Sequence, residues 1–302
     1  DASLRGLINL DVSLPVARMA DYADDVTAAV LALTAVGLSL VFGVMRVVNV
    51  AHGEFFMLGA VVAWFVASVI PGPAALAFVA ALLIAPVVVG GIAALADVLV
   101  LKRLNYDPEA TIVATIGLLY ILQQTALSAF GPDARPVAAP FVLNIQTPWF
   151  GYSGYKIFVV FAAALILLGV WAFMTRTKAG LVMRATQIDR QTARAFGINV
   201  DRVYAGVFAM GAGLAAVAAV LVVPIKQAQY LMGGDPLLLS VNVVNIGGLG
   251  SVRGTLVAAL FIGLGDGVIS MFFSPTLAKI IATLLVALVL VFRPHGLFGA
   301  RT

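Results

Sequence analysis

The chain contains no cysteine, two histidines and two glutamates among 302 residues, and only 11% of its side chains are charged. Without cysteine there are no disulfides and no thiolate nucleophiles or metal ligands. No G-x-x-x-x-G-K-[ST] stretch occurs, so no P-loop cradles ATP phosphates and the chain brings no energy source of its own. The HGE at 52–54 lacks the H-E-x-x-H spacing that sets two ligands on one helix face. Neither a metal site nor a catalytic residue is therefore expected. What replaces charge is apolar surface. Hydrophobic residues make up 62% of the chain and the mean hydropathy is +1.09, outside the soluble range and in that of integral membrane proteins. The pI near 9.5 does not point to nucleic acid, because the basic residues fall in short loops rather than on one face. The surrounding partner is membrane lipid.

Apolar runs recur from about residue 26 to residue 292, each near the roughly 20 residues that span hydrocarbon as a helix. They are continuously apolar rather than alternating, which argues against barrel strands. The expected fold is all-α and polytopic, with eight or nine transmembrane helices over about 26–45, 55–70, 74–101, 110–130, 157–174, 203–225, 236–250, 255–273 and 277–292. The segment 236–250 is short enough to be re-entrant, and losing that crossing would move the N-terminus to the other side. Residues 1–25 read as an amphipathic or loose extension, without the basic n-region and compact apolar core of a signal peptide. Residues 26–302 read as one transmembrane domain. The loop 175–202 carries Arg176, Lys178, Arg184, Arg190, Arg194 and Arg202 against Asp189 and Asp201, and a short loop this basic stays cytoplasmic. Alternation then places Lys102, Arg103, Arg253, Arg293 and Arg301 on the same side and the acidic N-terminal stretch outside.

Polar residues inside apolar runs are the candidate functional positions. "RVVNVAHGEF" (46–55) holds Asn49, His52 and Glu54, and a charge at bilayer depth costs at least ~2.5–3.5 kcal/mol on insertion scales. Arg46 and Glu54 are expected near the cytoplasmic interface, and the polar side chains of this stretch either hold a helix break or line the solute path. "VVNVAHGEFFMLGA" from Val47 is echoed by "VVNIGGLGSVRG" from Val243. Both halves then carry a polar, Gly-rich interruption of the kind used for discontinuous helices. Asn242 and Asn245, three apart, share a helix face beside Gly247 and Gly248, and Gln123 and Gln124 pose the same choice between helix contact and solute contact. In the basic loop, residues 189–196 read as a short amphipathic helix ended by Gly197, suited to docking on a cytoplasmic partner.

"GLSLVFGVMRVVNVAHGEFFMLGA" (37–60), "MRATQIDRQTARAFGINVDRV" (183–203), "GGLGSVRGTLVAALFIGLG" (247–265) and "VLVFRPHGLFG" (289–299) resemble the membrane subunit of branched-chain amino-acid ABC importers, the LivH-like permeases. The resemblance covers nearly the whole chain from residue 26. It implies an inner-membrane permease that is not itself an enzyme and passes a small polar solute by ATP-driven alternating access. Its implied partners are a second permease, LivM-like or a copy of itself, two cytoplasmic ABC ATPases that bind ATP and Mg, and a periplasmic solute-binding protein. The resemblance also carries an ATPase-coupling role onto Arg184, Asp189, Arg190, Arg194 and Gly197. Branched-chain amino acids are the first expectation for the solute. Urea, short amides and aromatic acids stay open, as does an ion-coupled secondary transporter. Asn242, Asn245 and Arg253 depart from the family pattern.

Overall fold

A computed structural model of the chain describes residues 25–146, 151–272, 275–293, 296 and 298. The extension expected over 1–25, apart from the backbone of Asp25, and the tail around His295 lie outside the described residues. The helices are α1 (Asp25–Met45), α2 (His52–Val69), α3 (Ala74–Leu99), α4 (Pro108–Phe130), α5 (Gly154–Arg176), α6 (Lys178–Ile188), α7 (Arg190–Ala195), α8 (Val200–Val222), α9 (Gly234–Gly247), α10 (Val252–Phe272) and α11 (Pro275–Phe292). A 3₁₀ turn spans Leu101–Leu104, and β1 (Asn144–Gln146) pairs antiparallel with β2 (Gly151–Ser153) in the loop before α5. The protein is a polytopic all-α membrane protein. Among the described residues six helices are long and apolar enough to cross a bilayer.

Two of them form the centre. The most apolar 18-residue windows of α1 and α8 are 83% and 78% buried, against 22% for α4 and 17% for α5, which therefore form the rim. Both central helices are apolar on every side, as a helix packed all round must be. They cross at Gly37 and Gly211, where a Cβ on Gly37 would lie 2.6 Å from the Gly211 carbonyl oxygen. Small residues permit that approach, which matters where the surrounding lipid is as apolar as the side chains and packing drives association. Around this pair α3 and α2 pack on α8 while α10 and α9 pack on α1. Helices α1–α3 and α8–α10 thus repeat one arrangement in opposite directions, an inverted repeat.

Both halves contain a break. The first follows Met45: Arg46 takes φ 56°, the chain runs unwound over 46–51, and α2 starts inside the bundle. The second follows α8, where 223–233 turns back and α9 also starts inside; Gly53 and Gly233 touch backbone to backbone. Helix α9 has 14 residues, about 21 Å, which is short of a bilayer core. The register of the sequence echo is corrected. With Gly53 and Gly233 in mutual contact, the structural counterpart of HGE at 52–54 is MGG at 232–234, whereas the Gly-rich stretch at 247–250 lies at the far end of α9.

Candidate functional site

The first break is built from its own polar residues. The Asn49 carboxamide oxygen accepts the Ala51 N–H at 3.1 Å, and Val50 N–H donates to Thr115 Oγ1 of α4 at 3.2 Å, so unwound backbone inside the bundle is partnered. His52 donates from Nε2 to the Thr34 carbonyl at 2.9 Å; a carbonyl only accepts, which fixes the proton on Nε2. Asn49, His52 and Glu54 are all buried, at 1%, 0% and 3% exposure. Thr34 lies eleven residues, about 16 Å, from the end of α1. The expected place of Glu54 near the cytoplasmic interface is therefore corrected: the unwound segment carries it, with His52, back to mid-bundle. Among the described residues, His52 Nδ1 and Glu54 Oε2 have no hydrogen-bond partner in the protein. No three His, Asp or Glu side chains there gather as a metal-binding group.

The remaining polar candidates scatter. Gln124 is exposed on the rim helix α4 and Gln123 half-buried, away from the break. Asn242 and Asn245 are half-buried on α9, and Asn242 Nδ2 donates to Thr283 Oγ1 of α11 at 3.4 Å. Gly247 meets Gly254 backbone to backbone where α9 turns into α10, and Gly248 takes φ 98° in that turn.

The basic loop folds into two short helices rather than the single one expected over 189–196. Thr177 caps α6 by accepting the Gly180 N–H at 3.0 Å. Asp189 ends α6 and caps α7: its carboxylate accepts the N–H groups of Gln191 and Thr192 and the Thr192 hydroxyl. The Thr192 hydroxyl and then these amides hold the Asp189 carboxyl below its usual range. Gly197 ends α7 at φ 83°, with Gly197 N–H on the Arg194 carbonyl and Ile198 N–H on the Ala193 carbonyl, the two bonds of a Schellman motif. Helix α6 packs on both central helices, and Gln187 Nε2 donates to the Gly250 carbonyl in the α9–α10 turn at 3.3 Å.

Of the expected coupling residues, Arg184 and Arg190 are exposed. Arg194 is tied within the chain: its guanidinium pairs with Asp201 at 3.2 Å, and Lys102 holds the other oxygen of Asp201 at 3.2 Å. A cleft of about 550 Å³ opens beside α7, lined by Arg46, Tyr106, Asp107, Gln187, Asp189 and Arg190 among others. Burial, reinforced by the Asp97 and Asp201 carboxylates, pushes the Tyr106 phenol above its ordinary range, so it stays protonated and donates to Asp97 at 3.4 Å. Sequence reasoning missed the apolar part of this surface. Ile188 and Phe196 stand 80% and 83% exposed at the ends of α6 and α7. A Phe just before the helix-ending Gly in a polar loop was the signal available. It also missed Gln187 and the Asp235–Lys279 pair, whose members lie 44 residues apart in sequence.

The family model described as branched-chain amino acid transport system, permease component, matches residues 26–290. The high-affinity branched-chain amino acid transport system permease protein BraD of Pseudomonas aeruginosa is 28% identical over 286 residues, covering 89% of this chain and 91% of BraD. The permease protein LivH of Escherichia coli is 29% identical over 290 residues, covering 89% of this chain and 91% of LivH. A probable LivH of Methanocaldococcus jannaschii is 27% identical over 287 residues, with 89% and 88% covered. With a match across the central pair, both breaks and the α6–α7 hairpin, the chain belongs to the permease-component family of branched-chain amino acid transport systems.

Proposed function

We propose that this chain is the permease subunit of an ABC importer in a bacterial inner (plasma) membrane, and that it passes a branched-chain or related amino acid by ATP-driven alternating access. It works with a second permease, two cytoplasmic ATPases that hold ATP and Mg, and a periplasmic solute-binding protein. The observation that carries this reading is the α6–α7 hairpin. It is capped at both ends, rests on α1 and α8, exposes Ile188 and Phe196 outward, and reaches the α9–α10 turn through Gln187. Two exposed apolar side chains on a rigid polar hairpin suit insertion into a groove on a cytoplasmic partner. A push on α6 is then transmitted by packed backbone to the turn below α9, whose other end meets α2 at the Gly53–Gly233 contact. Because both breaks converge on that contact, a small tilt of α9 moves the two unwound segments against each other.

The test is uptake in vesicles holding the full complex. Labelled L-leucine should accumulate only with internal ATP and external binding protein, and accumulation driven by an ion gradient without ATP would remove the ABC reading.

A further inference from the structure

Helix α9 has two unlike faces. Leu239, Ser240, Val243, Val244, Ile246 and Gly247 are buried against the bundle. Asp235, Leu238, Asn242 and Asn245, at i, i+3, i+7 and i+10, form the other face. Helix α11 lies along that second face and adds Lys279 and Thr283, one turn apart. Lys279 Nζ contacts Asp235 Oδ2 at 2.6 Å, Asn242 Nδ2 donates to Thr283 Oγ1 at 3.4 Å, and Thr283 Oγ1 donates back to the Lys279 carbonyl at 2.9 Å. The ion pair is not buried: the two side chains are 64% and 43% exposed.

Its depth makes that exposure informative. Asp235 is two residues beyond Gly233, which touches Gly53 in mid-bundle, and twelve residues, about 18 Å, from the end of α9. Charges at that depth do not face hydrocarbon; they face protein or water. The other half of the inverted repeat sharpens the contrast. Glu54, the acid in the first turn of α2 as Asp235 is in that of α9, is sealed in the bundle at 3% exposure. The first-turn acid is closed in one half and open in the other.

We propose that the α9–α11 face lines the water-filled path between paired permeases and that Asp235 and Lys279 form a transit site for zwitterionic solutes; this rests on the importer reading above. The two charges are the counter-charges of an α-amino acid. Asp235 receives the ammonium group as Lys279 receives the carboxylate, and the internal pair re-forms when the solute leaves, so neither charge is stranded in either state. Leu238, 65% exposed one turn from Asp235, supplies apolar surface for the solute side chain. Asn242 and Thr283 provide the next polar step toward the cytoplasmic end. The pairing favours solutes that carry both charges over neutral amides.

The chain has no cysteine, so single introduced thiols report alone. In the reconstituted full transporter, Asn242→Cys and Thr283→Cys should react with a membrane-impermeant methanethiosulfonate. Leu83→Cys and Phe161→Cys, on the outer surfaces of α3 and α5, should not. Unreactive thiols at 242 and 283 would overturn the proposal. The second arm measures labelled L-leucine uptake and binding-protein-stimulated ATP hydrolysis in Asp235→Asn, Lys279→Met and the double variant. A transit site predicts that all three take up at least about tenfold less leucine per ATP hydrolysed, since removing both charges removes both counter-charges. A strut between helices predicts instead that the double variant recovers, because no charge is left unpaired. Uptake within twofold of wild type in the double variant, or its failure to assemble, therefore overturns the proposal while leaving the importer reading intact. If the wild-type complex assembles but takes up no leucine, the amino-acid reading falls and the transit site with it.

Discussion

His52, the first residue of α2, donates from Nε2 to the carbonyl of Thr34 in the middle of α1, 18 residues earlier in the chain, and both residues are fully buried. One hydrogen bond thus pins the start of a broken helix to its central neighbour. If the imidazole holds the break rather than touching solute, His52→Ala should destabilise the protein by about 2–4 kcal/mol, from the cavity and the lost bond together. His52→Gln, whose amide nitrogen reaches a similar point, should keep part of that. Thermal unfolding of the purified complex reads the loss, and an unchanged melting curve with altered solute preference would put His52 in the path.

The α1–α8 crossing leaves no room for a side chain. Gly37→Val should abolish folded yield, because the space a Cβ needs is taken by the Gly211 carbonyl. Gly91→Ala on the open face of α3 meets nothing within 4 Å and removes a flexible residue from a helix interior, so it should be neutral or stabilising by up to ~1 kcal/mol. Detergent-solubilised monodisperse yield compares the two.

The Asp189 cap should have a one-sided pH dependence. Its pKa is held below the usual carboxylate value of about 3.9 by bonds that require the ionised form, so the stabilisation is complete above that value and disappears as pH falls through the lowered folded pKa. Amide exchange at Gln191 and Thr192, corrected for the intrinsic rate, should show constant protection from neutral pH down to about 5 and a loss only below the ordinary range. Asp189→Asn should show no such acid-dependent loss.

At the coupling surface, apolar contact should outweigh charge. Ile188→Ala/Phe196→Ala should insert and fold normally but lose stimulated ATP hydrolysis and leucine uptake together by at least about tenfold, the equivalent of 1.4 kcal/mol or more of docking. Arg194→Ala should have a small effect, since an ion pair as exposed as Arg194–Asp201 contributes about 0–1 kcal/mol. A large defect in Arg194→Ala with normal function in the apolar double variant would reverse this ranking.

Local chemistry was legible from the residues. Asp107 and Pro108 announce the start of α4, and Asp107 does accept the Ala110 N–H at 2.9 Å. Gly197 announces the end of α7. The nine apolar runs correspond to helices within a few residues, because length and hydropathy alone set them. Depth was not legible. Nothing local says that 46–51 runs back into the bundle, since that follows from Thr34 and Thr115, which meet the segment only in the folded chain. Register between the halves was misread for a related reason. The VVN triplets look alike, yet the inverted repeat aligns backbone contacts at Gly53 and Gly233, whose flanking sequences share little. Arg194 read as free for a partner because Asp201, seven residues on, closes the pair only after α7 turns into α8.

The bond from Val50 N–H to Thr115 Oγ1 joins positions 65 residues apart, and it bears on biogenesis. When α2 leaves the ribosome, the acceptor for its unwound lead-in has not been synthesised. The first break therefore has to wait, incompletely partnered, until α4 has entered the membrane. Chains released between residues 70 and 108 carry α1 and α2 but not that acceptor. They should be held by insertion chaperones or cleared by membrane proteases, and chains extended past 130 should be the first to escape that surveillance.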